Sequence, residues 1–381
     1  MEIAGLDKNL ETLTYFQYLN LQWKRRYYEP GSFSMRILAA DYDPRVKFLY
    51  TPDRPEVGMV EKVDYERTAQ GEFVQLSGSF LEALYNRIYA YPHIKGTYTL
   101  AALLDHVLNH PGQWYTLDLY APQPDATAFD ETEVDVSWQN DTITDCLYST
   151  LKTLELSWRF ALDPDTGKVL LRIWQGADRT QAQEANPFAL FSDDSHHVTQ
   201  FSYTEDESGY KNHAVVFYGS DSIGDPYRHD VYTENWQTEG RRWLMMNVDD
   251  DLTEAERTQK AHDELKKYPI VQSADIEVIQ SGLLYRKDYD LGDKCDVVCH
   301  RLGKSFAARI TGVNEVFKAG QHSVSLTFGE SASTVYQRVA RHGRGDVRGY
   351  ELPQITSRRV RILLPGNDWQ TATINSPKTG V

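Results

Sequence analysis

Residues 21–38 read Leu21-Gln-Trp-Lys-Arg-Arg-Tyr-Tyr-Glu-Pro-Gly-Ser-Phe-Ser-Met-Arg-Ile-Leu38, and their alternation on both sides of Glu29-Pro30-Gly31 commits the chain's start to paired strands. Side chains on a strand point to opposite faces in turn. Trp23, Arg25 and Tyr27 therefore share one face, and Lys24, Arg26 and Tyr28 the other. Beyond the turn, Phe33, Met35 and Ile37 alternate with Ser32, Ser34 and Arg36, giving one buried and one wet face. Pro30 presets its own φ, and Gly31 is expected to supply a positive one.

The pattern continues over 57–66, where a single strand with Val57, Met59, Glu61, Val63 and Tyr65 on one face is expected. A return strand, 72–77, follows Ala69-Gln70-Gly71 and leads into a short helix over 79–87, with Ser79 and Glu82 as a capping box. This run of segments, from Met1-Glu2-Ile3 through the Trp23 to Tyr28 strand and its turn to Gly78-Ser-Phe-Leu81, resembles the start of the ReqiPepy-type siphophage tail proteins. Tyr210-Lys-Asn-His-Ala-Val-Val216 and Tyr289-Asp-Leu-Gly-Asp293 extend the resemblance to about residue 340.

The resemblance implies a structural hub at the tail tip of a phage or prophage, similar in fold to the baseplate hub proteins of contractile phages. The implied assembly is a homotrimer in which two similar barrels per chain form a near-sixfold ring on the tail tube. Its implied partners are the distal tail protein, the tape-measure protein and receptor-binding or tail-fibre proteins. The implied location is the virion tail tip, after assembly in the host cytoplasm.

The expected fold class is β-rich α+β and multidomain, with two β-barrel-like tube domains and an inserted small α+β module. The expected boundaries are 1–92 plus about 197–240 for the first barrel-like domain and 93–196 for the module. The second barrel-like domain is expected over 241–345, with a basic tail over 346–381.

A chain of 381 residues, 41% hydrophobic, suits two or three cores rather than one. No apolar run nears the roughly 20 residues that span a bilayer, and Met1-Glu2 does not open a basic-then-apolar leader, so neither membrane anchoring nor export is expected. Three cysteines fit a reducing compartment without disulfides. Cys146 belongs on a helix's apolar face. Cys295 and Cys299 share a strand face with Val297 while His300 points away, which is poor metal geometry.

The net charge of −15 argues against a nucleic-acid reader, so DNA is expected only in transit, through a negatively lined channel. Residues 338–381 depart from this balance at +5, through Arg338, Arg341, Arg344, Arg348, Arg358, Arg359, Arg361 and Lys378. Such a segment is either a contact arm for an acidic neighbour or a solvated terminus.

Further along, Leu100, Leu103, Leu104, Val107 and Leu108 mark a helix capped by Thr97 or Thr99 and stopped at Pro111-Gly112. Strands over 113–120 and 132–138, a Thr142-capped helix over 143–154 and a hairpin over 156–174 complete the α+β module. Strands are expected over 198–204, 213–218, 228–236, 241–247, 271–280, 294–299, 306–316 and 322–328. Thr253 and Glu256 form a capping box for a polar helix over 253–267.

Asp163-Pro-Asp-Thr-Gly-Lys168 lacks the distal Glu of a calcium loop and reads as a hairpin turn. Asp193-Asp194 with His196-His197 is the strongest local sign of an enzyme, yet adjacent side chains on an extended segment face opposite ways. Glu205, Asp206 and Glu207 suit a turn, and Asp249 to Asp251 suit the positive end of the following helix. The Arg-Gly-Asp triplet at 344–346 reads as a link.

Nucleophile-elbow, zinc-protease and Walker patterns are absent from the sequence. No catalytic, cofactor-binding or metal residue is assigned, and the chain is not expected to be an enzyme. The alternatives are a tail-associated cell-wall hydrolase, lysozyme or peptidase, working through His196, His197 or Glu205, and a carbohydrate-binding tail module.

Overall fold

The computed structural model describes residues 1–91, 93–109, 123–163, 166–220, 224–234, 236–318, 320–330, 357–363 and 369–375. It is β-rich with few helices. Two units divide it: Met1–Tyr210 with Pro269–Ser331, and Lys211–Tyr268 with Ala332–Val381.

The opening pattern forms the antiparallel strands Tyr18–Arg26 and Ser32–Leu38, with Trp23 opposite Phe33 and Lys24 opposite Ser32. Trp23, Arg25, Tyr27, Phe33, Met35 and Ile37 are all buried. Gly31 serves a different purpose from the one expected, because it is not among the positive-φ glycines. A Cβ there would stand 2.3 Å from the Lys24 carbonyl oxygen and 2.5 Å from the Phe80 ring, so glycine is needed for close approach.

The strand expected over 57–66 is broken. Gly58–Met59 ends where the Val60 N–H turns to the Lys47 carbonyl and the Glu61 N–H to that of Ser77, and a new strand, Lys62–Thr68, then pairs with Gly71–Ser79. Val57 and Met59 stay in the core, whereas Val63 and Tyr65 are exposed. The expected capping box at Ser79 also gives way. Leu81–Arg87 is a 3-10 helix with Phe80 at its N-cap and no side-chain cap, because Glu82 turns inward.

Eleven of the described strands make one mixed sheet. Its main path runs Val198–Asp206, Val271–Val278, Gln321–Phe328, Lys304–Lys318, Tyr18–Arg26, Ser32–Leu38, Gly71–Ser79, Lys62–Thr68. The central junction pairs Gly312 with Arg26 through to Lys318 with Asn20, hydrogen-bonding the first strands to the last third of the chain. On one side of it, Trp23, Met35 and Leu76 pack with Ile3, Phe16 and Leu49 of a four-stranded sheet. On the other, Ile276, Val313 and Leu326 pack with Phe191 and Tyr289.

A third core draws on residues 94–173 together with earlier ones. Leu103 and Leu104 of helix Leu100–Asn109, Leu147 and Leu151 of helix Ile143–Thr153, and Trp158 of the Ser157–Asp163 strand join Val57, Leu81 and Tyr85 there. Thr142 caps its helix as expected, accepting the Asp145 N–H. The helix stop at Pro111-Gly112, the strand over 113–120 and the triplet at 344–346 lie outside the described residues.

In the second unit, His213–Tyr218 lies between Tyr227–Tyr232, antiparallel, and Trp243–Asn247, parallel. Helix Glu254–Leu265 covers one face of this sheet by packing Ala261 and Leu265 against Ala214 and Val216, and its Thr253/Glu256 capping box is formed. Ser357–Leu363 and Trp369–Asn375 pair antiparallel.

Candidate functional site

The most densely built polar site lies at the central junction of the long sheet. Arg25 and Glu315 stand on adjacent paired strands and share a face, because Arg25 opposes Val313 and Trp23 opposes Glu315. Arg54 and Glu56 reach them from the loop after Phe48–Tyr50, and Tyr285 and Asp290 from the segment before Lys294–Cys299. Arg25 donates to Glu56 Oε1 at 2.8 Å, to Asp290 Oδ1 at 2.6 Å and to the Tyr285 hydroxyl at 2.5 Å. Arg54 grips both oxygens of Glu315, with Nε at 2.8 Å from Oε2, and His322 Nε2 lies 3.1 Å from Oε1.

Burial by itself would lift the Glu315 carboxyl, but the His322 and Arg54 hydrogen bonds, with the charges of Arg54 and Arg25, outweigh it and hold the group low. For Arg25 burial works against the charge, and Glu56, Tyr285 and Asp290 restore it well above the usual arginine value. Arg25 and Glu315 are thus favoured in their charged forms, and the bonds tie chain segments far apart in sequence together.

A second carboxyl nearby behaves differently. Glu82, 3% exposed, accepts the Phe160 N–H on Oε1 at 3.0 Å. Burial, with Glu56 adding a like charge, pushes it up to about 8. It lines a small cavity with Glu56, Tyr148, Trp158, Arg159 and Trp174. The letters mark Glu82 only as a capping residue and do not mark the junction. The available signal was a charged residue within an apolar strand face, as in Trp23-x-Arg25-x-Tyr27 and Val313-x-Glu315.

The acidic and histidine residues singled out from the sequence sit in different surroundings, and His197 Nε2 is buried without a protein partner. Asp193 accepts the His300 and Arg301 N–H groups at 2.8 and 3.1 Å, capping the short helix His300–Leu302, and these bonds hold it below its ordinary value. Asp194 lies 3.5 Å from His300, and Asp193, Asp194 and His300 bring their ligand atoms within 4.8 Å of one another on an exposed surface. His197 is buried and held low by that burial, with its ring at 90° to that of His196.

Glu205 takes bonds from Lys304, Tyr203 and Gln272, which lower it to about 2 and make it a poor general acid. The three cysteines are buried and free. Burial pushes Cys146 up to about 12 and Cys295 higher still.

The family model for the Siphovirus ReqiPepy6 Gp37-like protein matches residues 6–330. The chain belongs to this family. A comparison with curated proteins gives no match.

Among solved structures similar to this family member, the tail protein from Neisseria meningitidis MC58 superposes with a TM-score of 0.56 at 13% identity, covering 87% of this chain and 96% of that one. The 43 kDa tail protein of prophage MuSo2 from Shewanella oneidensis gives 0.54 at 13%, covering 86% and 98%. Prophage tail protein gp18 from Listeria monocytogenes EGD-e gives 0.52 at 14%, covering 91% and 100%. At such identities the likeness is one of fold.

Proposed function

We propose that this chain is a structural subunit of a phage or prophage tail, a hub at the tail tip that assembles as a homotrimeric ring and joins the tail tube to the host-recognition apparatus. The family match over residues 6–330 carries this reading, and the fold shared with prophage tail proteins supports it. In this reading residues 1–92 with about 197–240 form the first barrel-like tube domain and 241–345 the second, with the α+β module of 93–196 inserted into the first. Ring neighbours are other copies. The distal tail, tape-measure and receptor-binding or fibre proteins lie above and below.

The net charge of −15 suits a channel that DNA crosses without adhering. A non-enzymatic role is supported by Asp193, His197 and Glu205, each committed to a cap, a core or a hydrogen-bond cluster. Sedimentation of the purified chain tests the assembly: the expected species is a trimer. Peptidoglycan clearing that is lost on changing His196, His197 or Glu205 replaces the structural reading with a hydrolase.

A further inference from the structure

Five buried polar atoms without a protein partner belong to residues lining one small cavity in the first unit. They are Glu56 Oε2, Glu82 Oε2, Trp158 Nε1, Arg159 Nε and Trp174 Nε1. Buried polar groups are nearly always satisfied, so unpartnered atoms on residues that line one cavity point to an occupant. Glu56, Glu82 and Trp158 are each more than nine-tenths buried. Three of the atoms donate and two are carboxylate oxygens. Indole and guanidinium donors oppose a metal ion, and two carboxylates oppose an anion. Water serves both kinds of group, and the cavity has room for one water-sized molecule, which can accept from Glu82, donate to Glu56 and take one of the N–H donors as well.

The two carboxyls are anchored to different parts of the fold. Glu56 Oε1 is held by Arg25 of the long sheet. Glu82 Oε1 takes the Phe160 N–H of the module's hairpin, while the Thr144 hydroxyl of the module's helix donates to the Glu82 carbonyl. Both residues line the same cavity, and each has one buried oxygen without a protein partner. We propose that the cavity holds one ordered water through which Glu56 and Glu82 share a single proton, carried on Glu82, and that this hydrated pair is a proton-dependent joint fastening the inserted module to the long sheet.

The groups facing Glu82 favour that distribution. Glu56, itself bonded to Arg25, lines the cavity, as do Arg26 and Glu29 from the Tyr18–Arg26 strand and its turn, Tyr148 from the module's helix and Arg159 from its hairpin. Burial comes first in raising Glu82, Glu56 adds to the rise, and the Phe160 N–H and Arg159 only partly oppose it. A folded carboxyl raised from 4.5 to about 8 keeps a proton that the opened state releases, so the joint weakens as pH climbs through that window and changes little above it. This inference stands independently of the tail reading.

The test uses the full chain. At pH 6 the infrared spectrum is expected to show a protonated-carboxyl carbonyl band that is missing in Glu82→Gln. Amide exchange over 81–87 and 157–163, corrected for intrinsic rates, is expected to report an opening constant that rises up to about tenfold per pH unit between roughly 5 and 8 in wild type. In Glu82→Gln it stays flat. Glu56→Gln, which keeps an acceptor for Arg25, is expected to move the wild-type titration to lower pH, and it decides the matter together with the wild-type band if Glu82→Gln does not fold. Absence of the band, equal slopes in wild type and Glu82→Gln, or an unmoved titration in Glu56→Gln overturns the proposal.

Discussion

The strands Tyr18–Arg26 and Lys62–Thr68 belong to the same sheet and both alternate, yet one buries a tryptophan and an arginine while the other leaves a tyrosine in water. Cross-strand rows connect them. Met35, Leu76 and Val63 form one row, and Ile37, Val74 and Tyr65 the next. The inner members are fully covered, but Val63 and Tyr65, on the edge strand, are 43% and 60% exposed. Alternation therefore specifies a strand and its two faces, and position in the sheet decides what a face is worth. A guanidinium survives at the centre only because segments far apart in sequence bring it Glu56, Asp290 and Tyr285.

Substitutions can break or sharpen this contrast. Arg25→Ala leaves Glu56 without its buried partner and is expected to cost about 3–5 kcal/mol in denaturant unfolding. Gly31→Ala places a methyl against the Lys24 carbonyl and Phe80, with an expected loss of about 1–3 kcal/mol by the same measurement. Tyr65→Ser on the edge strand is expected to stay within about 0.5 kcal/mol of wild type. A Tyr65→Ser cost equal to that of Arg25→Ala would erase the distinction.

The smallest effect belongs to Glu205→Gln, at an exposed hydrogen-bond cluster. Because the folded carboxylate is lowered to about 2, its contribution is present above pH 4.5 and fades as pH falls toward 2. Thermal melting at pH 7 and pH 3 is expected to show the variant trailing wild type slightly at pH 7 and matching it more closely at the acid end.

Local signals read well from the sequence. The Thr142 cap and the Thr253/Glu256 capping box need only neighbours in the chain, and both form. The Trp23 and Phe33 faces follow from period two alone. What was not legible depends on tertiary partners. Ser79 and Glu82 have the spacing of a capping box, but Glu82 is drawn inward to a backbone N–H some 78 residues away in sequence. Gly31 has the place of a turn glycine, yet Phe80 sets its requirement. Asp193 looked like chemistry beside Asp194 and the histidines, and it caps a helix that begins at His300. The long strand expected over 57–66 is broken because the Val60 and Glu61 N–H groups find acceptors on two different segments, Lys47 just before Phe48–Tyr50 and Ser77 within Gly71–Ser79.

Family membership is the basis for the proposal that this chain is built into the end of a phage tail. Gold-labelled antibody against the chain, imaged on purified tails by electron microscopy, tests it most directly. The account predicts label at one tail end, at the tip distal to the head. Tails that carry no label, from particles whose producing cells contain the chain, contradict it.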